Sequence, residues 1–140
     1  MLAAQLNLRS AQHVPVKQAI DRFAPFDVLV NNAGHGVAGA VEEASDAEVL
    51  DLYETNVFGL ICVARVVLPY LRTRWSGHIV SFSSIGGLVG FAGWGIYNFS
   101  KFAVIGLSEA LASNPHSHGE TKAEFETMAC VLVNFIRSHI

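Results

Sequence analysis

The period of the apolar positions changes several times along the chain, and each change predicts an element. Within residues 11–24, Val16, Ala19, Ile20 and Phe23 recur at helical spacing between Lys17, Asp21 and Arg22. This predicts a short amphipathic helix, ended by Pro25. Asp27 to Asn31, D-V-L-V-N, is a short apolar run without alternation, the pattern of a strand covered on both faces in a parallel sheet. Ser45-x-x-Glu48 forms a capping box and opens a second helix. From Glu48 to Arg74, Val49, Tyr53, Val57, Leu60, Ala64, Val67 and Leu71 step by three or four, with Gly59 and Pro69 as interruptions. Arg72 and Arg74 suit the negative end of that helix. Ile61, Val63, Val66 and Leu68 lie outside the stripe and predict a second buried face, against another element or another subunit.

Ser76-Gly77 predicts a turn, and His78 to Phe82, H-I-V-S-F, a second strand. Two strands separated by a long helical segment imply a right-handed crossover and parallel pairing. Gly86, Gly87, Gly90, Gly93 and Gly95 then predict an open loop, and Phe102, Ile105, Ala110 and Leu111 restore helical spacing over Tyr97 to Ala112. Beyond Ala112, S-N-P-H-S-H-G-E-T-K reads as loop, and M-A-C-V-L-V-N-F-I fits either a third buried strand or a short helix. The fold class is therefore α/β.

Composition narrows the class of protein. The chain has 140 residues, 51% of them hydrophobic and 15% charged, with a formal net charge of -3. That balance suits one domain with a sizeable core, argues against disorder and gives no basis for a nucleic-acid partner. Cys62 and Cys130 have no metal-binding spacing and are expected as free thiols, and His116-x-His118 has no evident third ligand, so no metal site is expected. The N-terminus lacks the basic start and apolar run of a secretory signal. The run Val57 to Leu68 contains Arg65 and is shorter than the roughly 20 residues of a spanning helix. A soluble, cytoplasmic protein without a membrane partner is the expectation.

Candidate chemistry concentrates between Ser81 and Lys101. Tyr97 and Lys101 are four residues apart and share one helix face, and an ammonium beside a phenol favours the phenolate. With serine hydroxyls upstream, the set fits acid/base chemistry on a carbonyl or alcohol. Gly34, Gly36 and Gly39 match G-x-G-x-x-G behind a strand, but that fingerprint opens a helix at once, whereas the next helix start here is Ser45.

Four motifs in a fixed order now stand together: N-N-A-G at Asn31 to Gly34, Asn56 in T-N-V-F-G, Ser84 ending S-F-S-S, and Tyr97-x-x-x-Lys101. Ser84 lies thirteen residues before Tyr97, and Asn56 forty-one before it. From about Asp27 to Ala112 the chain resembles the short-chain dehydrogenase/reductase family. The resemblance implies a partial Rossmann-like parallel sheet with flanking helices, and hydride transfer between NAD or NADP and a small-molecule carbonyl or alcohol. It makes Tyr97 the catalytic acid/base, Lys101 the residue that lowers its pKa and binds the nicotinamide ribose, and Ser84 the hydrogen-bond donor to the reacting oxygen. Asn56 is implied to hold a water of the proton relay. Asn31, Ala33 and Gly34 are implied to lie beside the cofactor with Tyr97 and Lys101. Ile85 to Trp94 are implied to line the substrate pocket, where Val89, Phe91 and Trp94 point to a hydrophobic substrate. The helices over Val57 to Leu71 and Tyr97 to Ala112 are implied to form a homo-oligomer.

The chain also departs from the family. No T-G-x-x-x-G-x-G turn precedes Asp27, the strand that would distinguish NAD from NADP is missing, and no P-G follows Ala112. Residues 1–112 are thus expected to form an incomplete dinucleotide-binding domain and 113–140 a divergent tail. The functional expectation is an NAD(P)-dependent oxidoreductase, with a catalytically inactive truncated remnant or dimerisation module as the alternative.

Overall fold

The computed structural model describes residues 17–74, 77–112 and 127–130. Residues 17–23 are helical (α1); the first six positions of the expected helix lie outside the described residues, as does His116-x-His118. In order there follow β1 (Val28–Asn31), α2 (Asp46–Tyr53), a π-helical turn (Glu54–Gly59), α3 (Leu60–Thr73), β2 (His78–Phe82), a 3-10 turn (Ile85–Gly87), α4 (Gly95–Ala112) and β3 (Thr127–Cys130).

The three strands form one parallel sheet in the order β1-β2-β3, with Val28 opposite His78 and Ile79 opposite Thr127. The fold is a Rossmann-like α/β arrangement. The start of the ambiguous run near the C-terminus, Met128 to Cys130, belongs to β3 and pairs with β2, and the rest of the run lies outside the described residues.

Val67, Leu71 and Ile79 form the buried apolar cluster, against which Ile20, Phe26, Leu29, Val63, Leu68 and Tyr70 pack half-buried. The C-terminal end of α3 is tied to the entry of β1. Tyr70 stacks on Phe26 at 4.7 Å between ring centroids, and Arg74 Nη1 donates to the Phe26 carbonyl at 2.7 Å while Arg74 Nη2 lies 2.9 Å from Asp27. The entry of β1, at the end of the sheet away from Asn31, is thereby fixed relative to α3.

Three expectations need correction. β1 is not covered on both faces among the described residues: Val28 and Val30 are 51% and 53% exposed, because α3 packs on the Leu29 side. The helical stripe also changes face. Ala64, Val67 and Leu71 are buried as expected, but upstream Leu52 and Asn56 are buried in place of Tyr53 and Val57. The π-helical turn between them accommodates an extra residue and rotates the buried face. Finally, α2, the π-helical turn and α3 join into a continuous helical run, Asp46–Thr73, which is 28 residues long and apolar enough to meet the length and composition of a spanning helix. The apolar run Val57 to Leu68 is too short a measure of it. Here that helix carries the core cluster against the sheet.

Ser45 caps α2 as its sequence dictates: its hydroxyl accepts from Glu48 N at 3.3 Å, and Glu48 Oε2 accepts from Ser45 N at 2.9 Å. The Ser45 hydroxyl also donates to Glu48 Oε2 at 2.7 Å, and this bond, with the one from Ser45 N, holds the Glu48 carboxyl below its ordinary pKa.

Candidate active site

The C-terminal ends of β1 and β2 face the start of α4, and polar side chains meet there in the interior. Asn56, Ser81, Ser83, Asn98, Ser100 and Lys101 are all at most 6% exposed. Burial of so many polar groups is tolerated only when they are paired, and most of them are.

At the end of β1, Asn31 Nδ2 donates to Ser81 Oγ across the strand pair at 3.2 Å. The N-N-A-G loop then turns towards Asn56, the buried residue of the π-helical turn. His35 N donates to Asn56 Oδ1 at 3.0 Å, and Asn56 Nδ2 donates to the His35 carbonyl at 2.8 Å and to Ser100 Oγ at 3.0 Å. Ser100 Oγ in turn donates to the Tyr97 carbonyl at 2.7 Å. A chain of hydrogen bonds thus joins the loop after β1, the π-helical turn and the first turn of α4. His35 Nε2 adds a contact of 3.4 Å to Asp51 on α2.

On the other side, Ser83 Oγ donates to the Lys101 carbonyl at 3.0 Å, and Lys101 Nζ donates to the Phe82 carbonyl at 3.0 Å. The end of β2 and α4 approach so closely that a Cβ on Gly87 would lie 2.8 Å from the Lys101 carbonyl oxygen and 2.5 Å from Ser83 Oγ. Glycine at this position makes the approach possible. Ser84 half-enters the 3-10 turn as its N-cap, its hydroxyl accepting from Gly86 N at 3.1 Å, which leaves its O–H as a donor.

Lys101 Nζ lies 5.8 Å from the centroid of the Tyr97 ring, on the shared face that the four-residue spacing dictates. A Cβ on Gly34 would stand 3.3 Å from Lys101 Nζ and 3.1 Å from Asn56 Oδ1, so the N-N-A-G loop borders the ammonium. Burial pushes the Lys101 pKa down from its ordinary value. Asn31 and Ala33 line a cavity of about 440 Å3 that opens beside β1 and extends to Thr55, Gly59 and Val63.

The structure therefore brings Asn56, Ser84, Tyr97 and Lys101, with Asn31, Ala33 and Gly34, to one end of the sheet. Three further residues of the wall were not legible as site residues: Ser100, which relays Asn56 to Tyr97; Ser83, which holds Lys101; and Asn98 of α4, buried against Gly86 of the 3-10 turn. The signal was present in α4. Asn98, Lys101, Val104 and Ser108 step by three or four and form the buried face, whereas Phe102, counted in the expected apolar stripe, is 43% exposed. Small polar residues face inward because α4 packs on backbone at close range. Among the described residues no group of three metal-ligating side chains occurs, and Cys62 is a buried free thiol.

A family model described as short chain dehydrogenase matches residues 1–133. The chain belongs to the short-chain dehydrogenase/reductase family. It is 48% identical over 101 residues to a 3-ketodihydrosphingosine reductase of Bacteroides thetaiotaomicron, an alignment covering 72% of this chain and 38% of that protein. Many solved structures resemble it, among them two with a nicotinamide cofactor bound. ElxO with NADP bound gives a TM-score of 0.70 at 31% identity, covering 74% of this chain and 42% of that one. A family member from Burkholderia phymatum in complex with NAD gives 0.73 at 31% identity, covering 79% and 40%. The chain spans about two-fifths of the length of these relatives.

Proposed function

We propose that the site interconverts a carbonyl and an alcohol by hydride transfer with NAD or NADP, Tyr97 serving as acid/base. The observation that carries this reading is the placement of Lys101: a buried ammonium, held by the Phe82 carbonyl, bordering both the Tyr97 ring and the N-N-A-G loop. A cation in that position stabilises the phenolate left when Tyr97 gives up its proton. The same cradle fits the ribose end of a nicotinamide cofactor, because Gly34 leaves open the space beside Lys101 Nζ that a side chain would fill.

In the reduction direction Tyr97 donates its proton to the substrate oxygen, and Ser84, whose hydroxyl retains its O–H, donates a hydrogen bond to the same oxygen. The chemistry a reduced nicotinamide would supply there is a hydride for the carbonyl carbon, so that one C–H and one O–H bond would form as the C=O double bond is reduced. Lys101 and Tyr97 would hold the ribose of a bound cofactor, with Asn31, Ala33 and Gly34 beside it. Asn56 positions the loop and α4 through His35 and Ser100, and the water it is implied to hold would complete the proton relay. Oxidation of an alcohol runs the same steps in reverse.

A second reading, a non-catalytic dimerisation module, is favoured by Phe99 and Phe102, which leave α4 67% and 43% exposed and would be covered by a second copy. Titration of the chain with NADH and NADPH, followed by nucleotide fluorescence and calorimetry, separates the two. Saturable binding and turnover abolished by Tyr97→Phe support the oxidoreductase; absence of binding excludes catalysis by this chain and leaves the module.

A further inference from the structure

We infer that His35 and Asp51 are positioning residues, a charge-dependent clamp that holds the loop after β1 against Lys101 and Tyr97, so that the order of this loop and the nucleotide affinity of the site fall as pH rises from about 6 to about 8. The nucleotide half of the inference rests on the oxidoreductase reading; the half that concerns the loop does not.

In Gly34-His35-Gly36 the two glycines leave the backbone many conformations, so the side chain between them is the handle by which this stretch can be held. Both glycines sit in close quarters. A Cβ on Gly34 would stand 3.3 Å from Lys101 Nζ, and one on Gly36 would stand 3.0 Å from the Trp94 ring and 3.5 Å from the Tyr97 ring. A displacement of the loop by a fraction of this spacing therefore changes the surroundings of Lys101 and Tyr97 together.

One helical run grips His35 at three points. Its N–H and its carbonyl pair with the Asn56 side chain at 3.0 and 2.8 Å, and its Nε2 lies 3.4 Å from Asp51 Oδ2 on α2. The capping box of Ser45 and Glu48 fixes the start of α2, so Asp51 is presented from a rigid element. The two amide bonds are indifferent to pH, whereas the third contact is not. Histidine changes charge between pH 5 and 8 while a carboxylate keeps its charge there, so the imidazolium attracts Asp51 and the neutral ring loses that attraction. The other titratable groups facing the loop, among the described residues, are Lys101 and Tyr97 from α4 and Glu43 further along it. Lys101 Nζ donates to the Phe82 carbonyl at 3.0 Å, and the Glu43 carboxylate accepts from Ala40 N at 2.9 Å. Because the His35 and Asp51 side chains are 40% and 77% exposed, water screens the pair and the clamp modulates the loop without switching it.

The test measures amide exchange of residues 33–36 in the full chain at about pH 6 and about pH 8, each rate divided by its intrinsic value at that pH, together with NADH and NADPH affinity by nucleotide fluorescence. The variants are Asp51→Asn and His35→Gln, which remove the charge of one partner at half-exposed or exposed positions and so are compatible with folding. Expected is protection about two- to fourfold higher at the lower pH in the parent, a difference lost in either variant, with nucleotide affinity changing in the same proportion. The same pH dependence in parent and variants overturns the clamp, since Lys101 or Tyr97 then carries it. Loss of protection spread over α2 and β2 in Asp51→Asn overturns it equally, since Asp51 then only supports the helix. A nucleotide that binds with an affinity neither variant alters breaks the link between the loop and the site. A loop that responds as expected while neither nucleotide binds upholds the clamp and defeats the oxidoreductase reading alone.

Discussion

The two flanks of the sheet are built from different materials. Where β2 meets α4, the interior is polar: Asn56, Ser83, Ser100 and Lys101 are buried and linked by directed hydrogen bonds. Along β1 the structure is apolar and open, with Val28 and Val30 half exposed, Phe23 68% exposed, and cavities of about 440 and 420 Å3 beside the strand. Stability on the β1 flank comes from the small cluster of Val67, Leu71 and Ile79, whereas order at the site comes from hydrogen-bond pairing. The difference locates precision: non-directional burial tolerates exposed neighbours, but a buried amide or ammonium permits one arrangement of its partners.

The contrast can be broken at either centre. Leu71→Ala, at a fully buried position, is expected to have the largest effect, lowering unfolding free energy by about 3 kcal/mol in urea titrations. Asn56→Ala leaves the His35 N–H and carbonyl and the Ser100 hydroxyl without their partner. A loss of about 2 kcal/mol is expected, with faster amide exchange in the loop after β1. Tyr53→Phe sharpens the rule that polar groups stabilise only when paired. Among the described residues the Tyr53 hydroxyl is buried without a hydrogen-bond partner, and desolvation raises its pKa, so its removal should leave stability unchanged or raise it by about 1 kcal/mol. Val28→Thr and Val30→Thr, on the open flank, should each change stability by no more than about 0.5 kcal/mol.

The smallest expected effect is a pH slope. The Lys101 pKa is lowered in the folded chain, so below that value the desolvation of its ammonium opposes folding in full. As pH rises through the folded value towards 10.5, the folded state releases its proton before the unfolded state does, and stability increases. Urea midpoints should therefore climb as pH rises towards 10.5, and Lys101→Met should remove that climb. Above its ordinary value of 10.0, Tyr53 acts in the opposite sense: the unfolded chain ionises first and stability is lost.

How far the sequence could be read depended on the kind of interaction. Strands at Val28–Asn31 and His78–Phe82 and the helix opened by Ser45 followed from local pattern and capping, which act within a few residues. The Tyr97–Lys101 face followed from helix geometry alone. The face that α4 buries did not, because apolar spacing marks Phe102 while close packing on the backbone at Gly87 selects Asn98, Lys101 and Ser108. Nor did the burial of Asn56 in place of Val57, since a π-helical turn leaves no apolar period to read.

By itself the sequence determined the α/β class, the order of the elements and the family, because periodicity, capping and motif spacing are properties of the chain. Only the tertiary structure decided that Thr127–Cys130 is a strand beside β2, that Val28 and Val30 stay open, and that Asn56 joins His35 to Ser100. Each of those depends on groups far apart in sequence competing for the same space and the same hydrogen bonds, and no local pattern carries that information.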